Sequence, residues 1–542
     1  MRPFPGLLSS LQQPRRFALW LALLVITAVG LAALSWWWLR PAVPAPLAPA
    51  QWVDEQQCQT CHADAVKAWQ GSHHQLAMQP ATARTVLGDF SAAPLQNDVE
   101  STQFRQAGDE FWINTQGADG QRADFKVAYT FGLEPLQQYL LALPDGRLQA
   151  HDAAWDTEKR RWFNLYPNQA VDHRHPLHWS ASQQNANAMC IECHTTGFAR
   201  GFDAAQQRFA SRWQAPGVGC QSCHGPASNH LQEANGERPV SVNHGFALDL
   251  RSAGNQAEVE TCARCHSRRS QLGGDPAPGA PLYDAYLPAG LSAQLYEVDG
   301  KIKEEVFEYG SFAQSRMQSA GVRCSDCHEP HSAELRLSGN AVCTQCHNPQ
   351  AQPRRAAIRS SGLRSKDYES PAHHRHAAAS AGAQCSSCHM PGKWYMQVDY
   401  RHDHSFSVPD PAQAQALGHS DACLDCHVQD KPQVIIQAFN DWYGQPEPRD
   451  GGYARAMAAA RAAQPGAAQG LHKQLARQDL PGLRRAALLA ELPRYPSTAA
   501  LNAAQQGLRD PDPAVRLAAV EALAALAAPQ QLAQLLPALL TD

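Results

Sequence analysis

The chain has almost no net charge: 46 Lys and Arg stand against 50 Asp and Glu, leaving −4 over 542 residues with a pI near 6.7. A balance that even provides no basic face, so no nucleic-acid partner is expected. Methionine is scarce at seven residues, which leaves little room for chemistry built on thioether ligands. Cysteine is missing everywhere except in eight short clusters, so no thiol is left over for a scattered disulfide framework. Charged residues make up only 18% of the chain while 44% is hydrophobic, the composition of an ordered protein. A chain of this length exceeds one hydrophobic core, and two or more domains are expected.

What is abundant is the pairing of cysteine with histidine, 16 and 24 residues respectively. The clusters read Cys58-Gln-Thr-Cys61-His62, Cys190-Ile-Glu-Cys193-His194, Cys220-Gln-Ser-Cys223-His224 and Cys262-Ala-Arg-Cys265-His266. They continue as Cys324-Ser-Asp-Cys327-His328, Cys343-Thr-Gln-Cys346-His347, Cys385-Ser-Ser-Cys388-His389 and Cys423-Leu-Asp-Cys426-His427. These eight C-x-x-C-H copies use every cysteine. Two thiols three positions apart can each add to one haem vinyl group, and the next His then supplies the proximal nitrogen to iron. Zinc ribbons pair two C-x-x-C units per metal and require no His behind every pair. A thioredoxin-like redox pair occurs once, and structural disulfides would leave the eight histidines unexplained. Eight covalent c-type haems are therefore expected.

Residues 17–39 run from Phe17 to Leu39 without a charge, long enough at about 1.5 Å per residue to cross a bilayer core of roughly 30 Å. Arg2, Arg15 and Arg16 precede them, and Trp36, Trp37 and Trp38 close the run. A cleaved signal has an apolar region of only about 7–15 residues. The reading is a cytoplasmic N-terminus over 1–16, a transmembrane anchor over 17–39 and a Pro/Ala linker over 40–50. The positive-inside rule then places the bulk of the chain in the periplasm of a bacterial inner-membrane protein. Haem ligation of this type takes place on that same side.

Each iron has a second axial position. Sixteen histidines lie outside the motifs, fifteen of them between His73 and His419. Supply is sufficient for eight bis-His sites, and the scarcity of Met argues against a His/Met, high-potential set. The distal candidates are His73 or its neighbour His74, His178, His230, His331, the cluster His373, His374 and His376, and His404. His230 and His331 follow their own motifs too closely to reach the opposite face, so a neighbouring haem is expected for each.

The segments VGCQSCHGPASNH (218–230), CSDCHEPHS (324–332) and CSSCHMP (385–391) resemble the multihaem family of the tetrahaem cytochrome of ammonia oxidisers. The close motifs at Cys324 and Cys343 resemble the doubled C-x-x-C-H module of the same broader group. The resemblance covers roughly 51–445. It implies closely packed haems in stacked and perpendicular pairs, and distal ligands like His73 in WQGSHH and His230 in GPASNH. Eight motifs instead of four mean that ligand pairing does not carry over. Octahaem and pentahaem relatives reduce nitrite or oxidise hydroxylamine, and the pentahaem reductases usually carry Lys after one motif. No C-x-x-C-K occurs here. Electron transfer between a membrane or periplasmic donor and an acceptor is the leading expectation, with chemistry on a small nitrogen compound at one five-coordinate haem as the alternative.

Within the octahaem domain (51–445), residues 102–166 carry β-like pieces broken by turn signals and read as a small β-rich insert. A second insert, punctuated by Gly and Pro, spans about 270–316. A linker over 446–463 leads to Ala/Leu-rich helical repeats over 464–542. ArgAlaAlaLeuLeuAlaGluLeu from Arg485 returns as ArgLeuAlaAlaValGluAlaLeu from Arg516, a shift of 31, as in a HEAT-type α-solenoid. Redox partners docked on those repeats are expected. The fold class expected is mainly α, with a multihaem cytochrome domain, a C-terminal solenoid and a single N-terminal membrane helix.

Overall fold

A computed structural model describes residues 49–539 apart from 98, 274, 275, 277, 278 and 445–449, together with positions 24, 27, 28 and 30. Residues from Gln51 onward form one compact unit, and Met1–Ala50 form another. Of the latter, the four described positions are helical, with the Thr27 hydroxyl donating to the Leu24 carbonyl at 3.0 Å.

The mainly α expectation is corrected: the chain is 34% helix and 16% strand, and its first half is built on a large, nearly closed antiparallel sheet. The strands are β1 Met78–Pro80, β2 Leu95–Gln96, β3 Ser101–Ala107, β4 Glu110–Gln116 and β5 Arg122–Phe131. They continue as β6 Leu136–Ala142, β7 Leu148–Ala150, β8 Ala153–Asp156 and β9 Arg161–Asn164. The path runs β2-β3-β4-β5-β6-β8-β9, with β1 on β5 and β7 on β6. Among the described residues no helix is long and apolar enough to cross a membrane. The stretch 17–39 itself lies outside the described residues, except for positions 24, 27, 28 and 30.

Alternation sets which face of the sheet is buried. In β4, Phe111, Ile113 and Thr115 point inward while Glu110, Trp112 and Asn114 face outward. The inner face closes on Phe90, Phe104, Tyr139, Leu141, Trp155, Trp162 and Trp179. Phe104 of β3 stacks on Trp162 of β9 at 3.7 Å and 5°, so strands distant along the path meet across the core. The turn from β6 to β7 needs glycine. Gly146 has φ +83, and a Cβ there would sit 2.0 Å from the Phe209 carbonyl oxygen.

The C-terminal helices are α1 Tyr453–Arg461, α2 Ala467–Leu475, α3 Gly482–Glu491, α4 Thr498–Gly507, α5 Pro513–Leu526 and α6 Pro529–Leu539. Asp512 caps α5 through the Ala514 amide, with Pro513 in the first turn where its missing N–H costs nothing. Their apolar faces do not close on themselves alone. Leu291, Tyr296, Ile302 and Val306 from the second insert share one core with Tyr453, Met457, Leu471, Leu488, Leu492 and Val515. Arg461 donates to the Leu291 and Tyr296 carbonyls at 2.7 and 3.2 Å, and Arg484 donates to the Asp299 carbonyl at 3.0 Å. The repeats and the insert are one packed body.

Candidate functional site

The first-to-second Cys step lies on a turn of helix in every motif: Gln56–Gln59, Ile191–His194, Cys220–His224, Asn255–Ala263, Ala341–Thr344, Cys385–His389 and Ala422–Cys426 each hold one or both thiols, and Cys324–Asp326 forms a 3₁₀ turn. Helical spacing puts both thiols on one face and the His one position further round. All sixteen cysteines are free of disulfides. Among the described residues no three or more His, Cys, Asp or Glu side chains gather as a metal-holding group, whereas a zinc ribbon brings four such ligands together.

Histidines from distant segments face the motif histidines. His62 and His230 have ring centres 6.2 Å apart, His266 and His74 6.3 Å, and His328 and His404 6.5 Å. The pair His389 and His373 lies at 6.2 Å, and His427 and His376 at 6.1 Å. A metal–imidazole bond of roughly 2 Å on each side, with about 1 Å more from each nitrogen to its ring centre, places two axial imidazoles about 6 Å apart. The five separations match that figure. Ring planes differ among the pairs, from 7° for His373 and His389 to 77° for His74 and His266.

Hydrogen bonds at Nδ1 fix which nitrogen stays free. His194 pairs with the Ala77 carbonyl (3.0 Å), His389 with that of Ser407 (2.8 Å), His230 with that of His244 (2.8 Å), His74 with that of Pro330 (3.1 Å) and His404 with that of His402 (2.9 Å). A carbonyl can only accept, so Nδ1 carries the proton and Nε2 keeps its lone pair for a metal. On this chemistry and spacing the residues fit haem iron.

The remaining candidates sit as follows. His73 is exposed, one residue from His74. His178 is buried in the sheet module beside Trp179, with Nδ1 on Ser180 and Nε2 without a partner. His331 lies near His224 and bonds the Glu329 carboxylate at 2.9 Å. His374 packs beside His376 and bonds the Glu369 carbonyl. Among the described residues no second His ring lies at 6.1–6.5 Å from His194, whose face is covered by Phe131 at 3.8 Å. Burial pushes the His194 imidazole down to about 4.

Thiols of different motifs lie close enough to influence one another electrostatically: Cys58 and Cys220, Cys193 and Cys265, Cys262 and Cys324, and Cys343 and Cys385. Cys223 neighbours Cys262 and Cys265, Cys327 neighbours Cys346, and Cys388 neighbours Cys423 and Cys426. In motif order this reads 1–3–4–5–6–7–8, with motif 2 joining at motif 4. Two joints are braced. Gln221 exchanges hydrogen bonds with Val53 to hold motif 3 against motif 1, and a Cβ on Gly219 would strike the Glu55 carboxylate. Arg269 reaches the Glu192 carboxylate at 3.2 Å and lies 3.8 Å over Tyr286, holding motif 2 to motif 4. Sequence reasoning had no signal for Arg269, nor for the Glu308 carboxylate 3.0 Å from His266 Nδ1. Both contacts join residues far apart in the chain.

Four stretches match three family profiles. Residues 57–103 and 149–225 are similar to cytochrome c554 and c-prime, 318–352 to the doubled CXXCH motif, and 456–542 to HEAT repeats. No curated protein matches the chain. Among solved structures, the outer cell wall cytochrome OcwA superposes with a TM-score of 0.50 at 17% identity, over 87% of this chain and 99% of that one. That likeness concerns the fold.

Proposed function

Because this chain is a multihaem c-type cytochrome ending in HEAT repeats, we propose that it is an eight-haem electron relay working in the periplasm. Electron transfer by c-type haems follows from the family matches. The count of eight rests on one haem per C-x-x-C-H, and the compartment on where such haems are attached. The observation that carries the relay is the set of five His–His pairs at 6.1–6.5 Å.

Each motif's two cysteines would hold one haem by thioether bonds and its His would take the proximal side. On the distal side the assignments are His230 opposite His62, His74 opposite His266, His404 opposite His328, His373 opposite His389 and His376 opposite His427. His331 is assigned to His224 as a histidine lying near it. Bound haem supplies an iron that takes up and returns one electron and a conjugated ring that spreads it. The protein's part is to clamp each ligand pair through Nδ1 bonds and to keep consecutive motifs in contact through the braces at Gln221 and Arg269. Two neutral imidazoles per iron favour lower potentials than a His/Met pair. The donor and acceptor proteins would dock on the surface around the repeats. Haem quantification against protein mass should give eight per chain, with the ferric protein dominated by low-spin resonance signals; a smaller count overturns the relay as drawn.

A second reading is favoured by His194 and His347, for which no second His ring lies at 6.1–6.5 Å among the described residues. One five-coordinate haem at either could act on nitrite or hydroxylamine. A substantial high-spin ferric signal together with turnover of either compound would establish it, and a wholly low-spin spectrum would remove it.

A further inference from the structure

Motif 4 differs from the others in two ways. It is the junction of the motif network: Cys193 of motif 2 reaches the Arg264 carbonyl at 4.0 Å, and Glu258, four residues before Cys262, accepts from the Ser325 amide of motif 5 at 2.9 Å, with Cys223 of motif 3 nearby. Its His266 also bonds a carboxylate, Glu308, through Nδ1 at 3.0 Å, where His194 and His389 bond neutral carbonyls. His427 also meets a carboxylate, Asp430, but at 3.3 Å and with Asp430 54% exposed against 33% for Glu308. The closer, better-shielded contact has the stronger effect on the ring.

The backbone is shaped for this bond. Tyr309 donates its amide to the His266 carbonyl at 2.9 Å, and Arg268 donates to the Val306 carbonyl at 3.1 Å, so residues 306–309 clamp motif 4. Directly before Glu308, Phe307 has φ 61 and ψ −169, a conformation that bulky residues avoid and that glycine normally occupies. Arg401 lies 5.6 Å over the Phe307 ring and holds it there. Val306 belongs to the core shared with the repeats, so the segment that carries Glu308 is anchored on both sides.

We propose that Glu308 is a positioning residue that makes the haem of motif 4 the lowest-potential member of the relay, at the point where its branches meet. An acceptor carboxylate draws the Nδ1 proton, raises electron density on the ligating nitrogen and favours ferric over ferrous iron. The branches then fill with electrons before they exchange them through the junction. This rests on the relay reading, and the test separates the two.

The His74–His266 planes, 77° apart, give a highly anisotropic low-spin ferric signal, distinct from the rhombic signal of the 7° pair His373–His389. In an EPR-monitored redox titration of the full-length holoprotein, that anisotropic signal should be the last to vanish on reduction. In Glu308→Gln its reduction equilibrium should shift at least tenfold toward the ferrous form, about 59 mV for one electron, with haem content unchanged. Asp430→Asn should shift the His427 site by less. Glu308→Asp keeps the charge and should fall between wild type and Gln; it serves if the Gln variant loses haem. An unmoved midpoint in Glu308→Gln, an anisotropic signal that vanishes early in wild type, or an Asp variant displaced further than Gln overturns the proposal. A wild-type haem count below eight instead defeats the relay drawn above and leaves the Glu308 midpoint to be read on its own.

Discussion

The sheet module and the stretch after motif 4 solve the burial problem in opposite ways. Along β6, five of seven residues are buried, and β8 is buried throughout. Between residues 316 and 402, by contrast, Ile358 and Ala383 alone are buried, although the span carries motifs 5, 6 and 7. None of the hydrophobic clusters draws a buried member from it. A chain with so little apolar contact cannot offset its conformational entropy. On the relay reading, haems held by motifs 5, 6 and 7 would supply the missing apolar surface, with the protein's ligands and loops around them.

The largest expected effect follows directly. Protein made in cells that cannot attach haem should lose structure over 316–402 while the sheet and the repeats persist. Limited proteolysis with mass spectrometry should place the early cuts in that span and leave 78–164 and 453–526 as resistant fragments. Uniform digestion of all three would break the contrast.

Within the self-supporting regions the effects are smaller and local. Trp162→Ala removes the stack on Phe104 and the contacts to Phe90, Tyr139 and Trp155. It should destabilise the sheet by about 4 kcal/mol, read as a lowered denaturation midpoint with haem content unchanged. Arg461→Ala leaves Glu491 with only its half-exposed partner Arg494 and strands two carbonyls of the insert, at a site whose Arg461 and Glu491 side chains are 12% and 14% exposed. Its cost should be about 3 kcal/mol, and early proteolysis should move to the junction near residue 453.

How much of this was legible in the sequence depends on the range of the signal. The C-x-x-C-H spacing and the Arg485/Arg516 echo are local, and each read through to chemistry or to helices. The sheet was underestimated because β6 and β8 bury polar residues such as Gln137 and Asp156 among their apolar ones and so show no alternation, and β1 and β2 precede the first clear strand signal. The facing of His74 toward His266, 192 positions away, has no local trace, and its neighbour His73 differs from it in nothing a linear pattern records. Glu308 was invisible for the same reason.

Acid gives a subtler probe of the junction between insert and repeats. Burial alone would raise the Asp299 carboxyl, but the charges of Lys301 and His419 outweigh it and hold Asp299 below its ordinary value. A depressed carboxyl stabilises the fold above its unfolded pKa of about 3.9 and loses that contribution as the pH falls toward the folded value. The junction should therefore hold at pH 5 and loosen progressively below about 4, measured by protease access near residue 453. Asp299→Asn should flatten that acid dependence.

The smallest effect tests whether strain is part of the design. Phe307→Gly gives the ε-region backbone the residue that fits it, releasing about 1 kcal/mol of strain, while removing a ring that is 38% exposed and so contributes little burial. Stability should stay level or rise slightly. The same change frees the residues that aim Glu308 at His266, so the midpoint of the anisotropic ferric signal should drift upward, part of the way toward that of Glu308→Gln. A stability gain with no drift would mean that the clamp at Tyr309 and Arg268 suffices to hold the carboxylate. A drift would mean that the Phe307 conformation is maintained for the sake of the bond it aims.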